Sequence, residues 1–79
     1  MNAMNWRDHI TSDPKVLKGK PCIKGTRIPV ALLLGYLAAG RDTAGILREF
    51  PDLERDDLLA CLEFAAQSLK LKSQHLALA

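Results

Sequence analysis

Apolar and polar positions along the chain follow two regimes that meet at Pro29. Before it, apolar residues come singly or in pairs between turn formers. Residues 10–14, Ile-Thr-Ser-Asp-Pro, read as a short extended piece ending in an Asp-Pro turn. Lys15–Lys18 is a connector, and Gly19 with Pro21 marks the next break. Cys22-Ile23 and Arg27-Ile28 then form two short extended runs around Lys24-Gly25-Thr26. Glycine takes positive φ without steric cost, so Gly25 predicts a hairpin turn that must pack on something larger to persist.

After Pro29 the period changes to that of a helix. Pro29 suits a first turn, and the segment from Val30 ends naturally at Gly40. No charged residue lies between Val30 and Ala39. A helix apolar on every side is normally buried on every side, which two further short helices hardly achieve, so a partner chain is expected. Leu33, Tyr36 and Leu37 are its candidate contacts. A second helix starts at Asp42 or Thr43, runs through Ile46 and Leu47, and stops before Pro51. Two turns long and carrying Gly45, it depends on the packing of Ile46, Leu47 and Phe50.

The third helix begins near Glu54 or Arg55. Leu58, Leu59, Leu62, Ala65, Ala66 and Leu69 fall at i, i+1, i+4, i+7, i+8 and i+11, predicting one continuous core stripe. Cys61, Phe64 and Leu71 lie off it and are expected to form a second contact surface for a partner. The fold class is therefore mainly α: a short N-terminal β hairpin or strand over residues 9–29, then three helices over 30–72. Residues 73–79 form a tail without caps. All 79 residues make a single domain, with no repeat or low-complexity tract.

Composition narrows the function. So small a core is marginal without staples or a partner. The two cysteines, Cys22 and Cys61, form no CxxC pair, and two lone cysteines suit a reducing compartment, although a single bridge between them stays open. With no signal peptide and no apolar run of membrane-spanning length, a cytoplasmic location is expected. The net charge is +2, but residues 1–30 hold six basic against two acidic side chains, and residues 31–79 five against seven. That asymmetry reads either as a footprint for an anion or as solvated lysines.

Catalysis finds no support. The serines lack a glycine elbow, the glycines and lysines do not make a Walker loop, and His9 and His75 are too far apart for a metal pair. Glu54, Asp56 and Asp57 suit the positive end of a helix dipole. No cofactor or metal site is expected. A binding module is the stronger reading. The second and third helices have helix-turn-helix proportions, yet the recognition start, Glu-Arg-Asp-Asp-Leu-Leu, offers only Arg55 among three acids that repel phosphate. Lys20, Lys24 and Arg27 of the hairpin are the better phosphate candidates, although strand alternation keeps them from all facing one way. For Arg27, an ion pair with Asp13 or Asp42 stands equally open.

Two stretches, "SDPKVLKGKPCIKGTRIPV" and "ILREFPDLERDDLLACLEFAAQSL", resemble the small prokaryotic family known as domain of unknown function 433. The likeness covers roughly residues 9–70, and the Lys-Gly-Thr-Arg-Ile-Pro-Val string of 24–30 is its most specific part. The resemblance implies a homeodomain-like helix-turn-helix fold. It also implies an antitoxin of a type II toxin–antitoxin pair: a homodimer that binds a PIN-type ribonuclease toxin and its own operator DNA. It carries no catalytic set. An alternative is a protein–protein interaction module with no DNA binding. Two positions depart from the family pattern. Glu54 stands where threonine or serine commonly caps the third helix, and Gly45 where an acidic residue often precedes the helix-two isoleucine.

Overall fold

The computed structural model describes residues 5–76, with side chains through residue 69. A 3-10 turn, Trp6–Asp8, leads into β1 (Ile10–Thr11), and a second 3-10 turn, Leu17–Gly19, precedes β2 (Cys22–Ile23). Three helices follow: α1 (Val30–Ala38), α2 (Thr43–Glu49) and α3 (Arg55–Leu76). The protein is thus mainly helical with a short antiparallel strand pair ahead of its helices, as the sequence predicts.

The strands pair differently from expectation. β1 lies against β2, with Ile10 opposite Ile23 and Thr11 opposite Cys22. The return limb after Gly25 adds one bridge, Cys22 to Pro29, with the Ile23 N–H donating to the Ile28 carbonyl and the Val30 N–H to the Pro21 carbonyl, both at 3.0 Å. Two prolines explain the difference. Pro21 and Pro29 flank this loop, and a residue without an N–H cannot extend a ladder. The Gly25 turn itself is real, with φ of +81°.

One face of each helix closes the core. Ile10, Ile23, Val30, Leu33, Ile46, Leu53, Leu58, Ala60 and Cys61 cluster there, and no polar or charged residue is buried among the described residues. The expectation for α3 is corrected in an informative way. Of the predicted stripe only Leu58 is buried and Ala65 half-buried, whereas Leu59, Leu62, Ala66 and Leu69 face solvent. The inward face is Ala60, Cys61 and Phe64. Small side chains at 60 and 61 let α1 and the N-terminal turn approach closely, and Phe64 fills the space beyond them. The α3 helix also continues through Leu76, past the expected tail boundary. No glycine or proline interrupts residues 55–76.

Both departures from the family pattern have local compensation. The Asp42 carboxylate caps α2 by accepting from the Gly45 N–H at 2.8 Å. A Cβ on residue 45 would lie 2.8 Å from that same Asp42 oxygen. Gly45 therefore gives up about 1 kcal/mol of helix propensity and keeps a cap of comparable worth. At the start of α3, Glu54 supplies no hydroxyl, but Asp57 reaches back to accept from the Glu54 N–H at 2.8 Å. This is the N3 half of a capping box.

Candidate nucleic-acid and partner interfaces

The basic candidates sit on a segment whose backbone is fixed turn by turn. Leu17, Lys18 and Gly19 all take positive φ, at 51°, 57° and 84°. Two non-glycine residues in that region cost about 1–2 kcal/mol each, a strain that the surrounding packing must offset. Further on, the Thr26 hydroxyl donates to the Ile23 carbonyl at 2.7 Å and accepts from the Ile28 N–H at 3.0 Å. The Lys24 N–H donates to the His9 carbonyl at 2.8 Å, which ties this loop to β1. Lys18, Lys20, Lys24 and Arg27 consequently stand exposed on a braced scaffold.

None of these four cations forms an ion pair among the described residues; the two pairs present there are His9–Asp57 and Arg41–Glu49. Both pairing options for Arg27 are unfilled. Asp42 is occupied as the α2 cap, and Asp13 instead accepts from the Lys15 N–H at 2.9 Å. Arg27 lines an open cleft of about 590 Å³ together with Asp13 and Asp52. Arg55 is also exposed, beside Glu54 and Asp56.

The first turn of α3 holds a residue pair that sequence reading missed. Across 48 positions, His9 Nδ1 meets Asp57 Oδ1 at 2.9 Å, while the other Asp57 oxygen caps the helix. Asp57 thereby joins β1, the N-terminal turn and α3 at one point. Its only signal in the sequence is an acid at N3 of a predicted helix, and nothing local points to His9. With Asp57 committed and the N-terminal turn packed on α3, the helix start is poorly suited to enter a groove.

The expected partner surface is reorganised. Leu33 and Cys61 are fully buried in the chain's own core, and are not available to another molecule. Leu37 and Phe64 are half-buried and pack against that core. Tyr36 belongs to a local cluster: its ring stacks on Phe50 at 6.1 Å, Arg41 lies over it at 4.1 Å, and Arg41 pairs with Glu49. Leu71 falls outside the described side chains. Phe64 keeps one open side, on an apolar cleft of about 330 Å³ with Pro21, Val30 and Leu34. Among the described residues, the large apolar side chains most open to solvent are Leu32, Leu59, Leu62 and Leu69.

A family model described as "Protein of unknown function (DUF433)" matches residues 10–65, most of the chain. The chain belongs to the DUF433 family. A crystal structure of a DUF433 member from Anabaena variabilis superimposes with a TM-score of 0.74 at 30% identity, covering 90% of this chain and 70% of that one. The uncharacterized protein y4eO of Sinorhizobium fredii (strain NBRC 101917 / NGR234) is 34% identical over 65 residues. That match takes in 81% of this chain but 29% of y4eO, so the chain spans under a third of that relative.

In this DUF433 protein, no three His, Cys, Asp or Glu side chains among the described residues gather as metal ligands. No helix among the described residues is long and apolar enough to cross a membrane. Cys22 and Cys61 are both free and both inaccessible to solvent. Burial, and then the nearby Asp57 charge, push the Cys61 thiol up to about 11, so it stays protonated where a nucleophile would need to be a thiolate. Native protein at neutral pH is therefore expected to show no fast-reacting thiol towards Ellman's reagent, and two after denaturation. A fast thiol in the native state would contradict this packing.

Proposed function

We propose that this DUF433 protein is an antitoxin-like, non-catalytic cytoplasmic regulator. It acts as a dimer and holds nucleic-acid phosphate through Lys20, Lys24 and Arg27. The family resemblance adds a PIN-type ribonuclease toxin as its protein partner and its own operator as the DNA. The observation that carries the reading is the run of exposed, unpaired cations along the braced loop from Lys18 to Arg27. Lys20 and Lys24, which form no ion pair among the described residues, keep their electrostatic value for phosphate, whose neutralisation supplies most non-specific affinity, whereas Arg27 shares its cleft with Asp13 and Asp52. Arg55, set among acids, contributes less.

Fluorescence anisotropy on a duplex from upstream of the gene, beside a scrambled duplex, tests this. Binding is expected to weaken with salt. The Lys20→Ala/Lys24→Ala/Arg27→Ala variant should lower the log–log salt slope by up to roughly 0.9 per lost phosphate contact. No binding at low salt, or a slope unchanged in the variant, would sink the proposal. A second reading, a protein-interaction module with no DNA role, is favoured by one specific observation, the solvent-facing leucines of α3.

A further inference from the structure

Three separate segments bring charges of both signs to the walls of the open cleft of about 590 Å³ without letting them meet. Asp13 comes from the connection after β1, Arg27 from the limb after the Gly25 turn, and Asp52 from the turn between α2 and α3. No ion pair joins Arg27 to either acid. Each segment is fixed by its own hydrogen bonds. The Asp13 carbonyl accepts from the Val16 N–H at 2.8 Å, and the Asp13 carboxylate accepts from the Lys15 N–H at 2.9 Å through Oδ1 alone. Thr26 braces the limb that carries Arg27, and the Leu53 N–H donates to the Phe50 carbonyl at 2.9 Å, closing the turn that carries Asp52. The second Asp13 oxygen, the Asp52 carboxylate and the Arg27 guanidinium have no hydrogen-bond partner among the described residues. Val16 and Ile28 supply apolar wall.

We propose that this cleft binds a free α-amino acid with an aliphatic side chain. Arg27 holds the carboxylate, Asp13 and Asp52 hold the ammonium group, and the side chain rests on Val16 and Ile28. The balance of charges selects this class. Phosphate alone is attracted by one guanidinium and repelled by two carboxylates, while a metal ion or a polyamine is repelled by Arg27. No aromatic side chain lines the cleft, so a nucleobase has nothing to stack on. A zwitterion satisfies both signs at once. The guanidinium fork matches a carboxylate with two parallel hydrogen bonds, and an ammonium group has three donors to divide between two acids. Because opposite charges are already held apart on braced segments, little ordering is left for the ligand to bring about. The volume falls within the roughly 300–1,000 Å³ typical of small-molecule sites.

Isothermal titration calorimetry of the full chain with L-leucine tests the proposal. Two analogues run beside it: 4-methylpentanoate, which lacks the amino group, and 3-methylbutylamine, which lacks the carboxylate. Leucine is expected to bind saturably with a dissociation constant below about 5 mM, and each analogue at least about tenfold more weakly. Arg27→Gln and Asp52→Asn should each weaken leucine at least about tenfold. Both side chains are exposed, and far-UV circular dichroism verifies that the variants fold. Absence of saturable binding by leucine, isoleucine, valine and methionine alike would overturn the proposal. Equal affinity for leucine and 4-methylpentanoate would overturn the role of the two acids. Unchanged leucine affinity in both variants would overturn the location. This binding is separate from the nucleic-acid reading and is measured without DNA, so the failure of either leaves the other standing.

Discussion

Replacement of Leu33 by alanine is expected to lower the thermal midpoint by roughly 15–30 °C and to leave little folded protein at 37 °C, a loss of about 3–5 kcal/mol. Leu33 has no exposed surface and sits in the cluster that α1, α2 and α3 share. Its removal loses transfer energy and opens a cavity that three helices, braced at several points, cannot close. A domain of this length holds only roughly 4–12 kcal/mol in all. The contrast is with Leu62→Ala, where a half-exposed side chain leaves the monomer's core intact and should change its stability by under about 1 kcal/mol. Chemical denaturation of the two variants, at protein concentrations low enough to keep the chain monomeric, checks both values. A Leu33→Ala loss below about 1 kcal/mol would mean that α1 does not pack as described.

That contrast separates what the chain's pattern disclosed from what it concealed. The helices were legible because their ends are marked by short-range chemistry: Pro29 and Gly40 around α1, Asp42 and Pro51 around α2. Local signals of this kind act within a few residues and survive in any context. The strand partner of β2 was not legible in the same way. Pairing Ile10 with Ile23 closes a loop of a dozen residues, and no residue in between announces it. The direction of α3 was concealed for a different reason. The helix carries apolar residues on two sides, and periodicity finds a stripe without saying which side turns inward. The richer leucine row was the natural reading, yet the smaller Ala60 and Cys61 face won because close approach of α1 and the N-terminal turn needs small side chains. The basic loop was readable as candidate residues, from composition alone. That its cations form no ion pair among the described residues, while Asp13 and Asp42 accept backbone N–H groups, is visible only in three dimensions. His9 with Asp57 belongs to the same class of long-range facts.

Phe64→Ala is expected to act on the fold rather than on capture of a partner. From sequence, Phe64 belonged to an external seam; in the structure its ring meets Trp6 edge-on, with centroids 5.0 Å apart and planes at 77°. Trp6 in turn carries Arg7 over its face at 4.5 Å, and its indole N–H is buried without a partner among the described residues. Nothing polar anchors that indole, so its position depends on the aromatic contact and on the packing around it. Removing a half-buried phenyl ring together with an edge-to-face pair should cost about 2–3 kcal/mol, less than a fully buried Phe→Ala change. Trp6 is the only tryptophan in the chain, which makes its emission a clean reporter. The variant should melt roughly 10–20 °C lower, and its emission should shift to the red before global unfolding as the N-terminal turn loosens from α3. An unchanged melting curve would mean that the Trp6–Phe64 contact does not hold the N-terminal turn on α3, and would return Phe64 to the candidate partner surface.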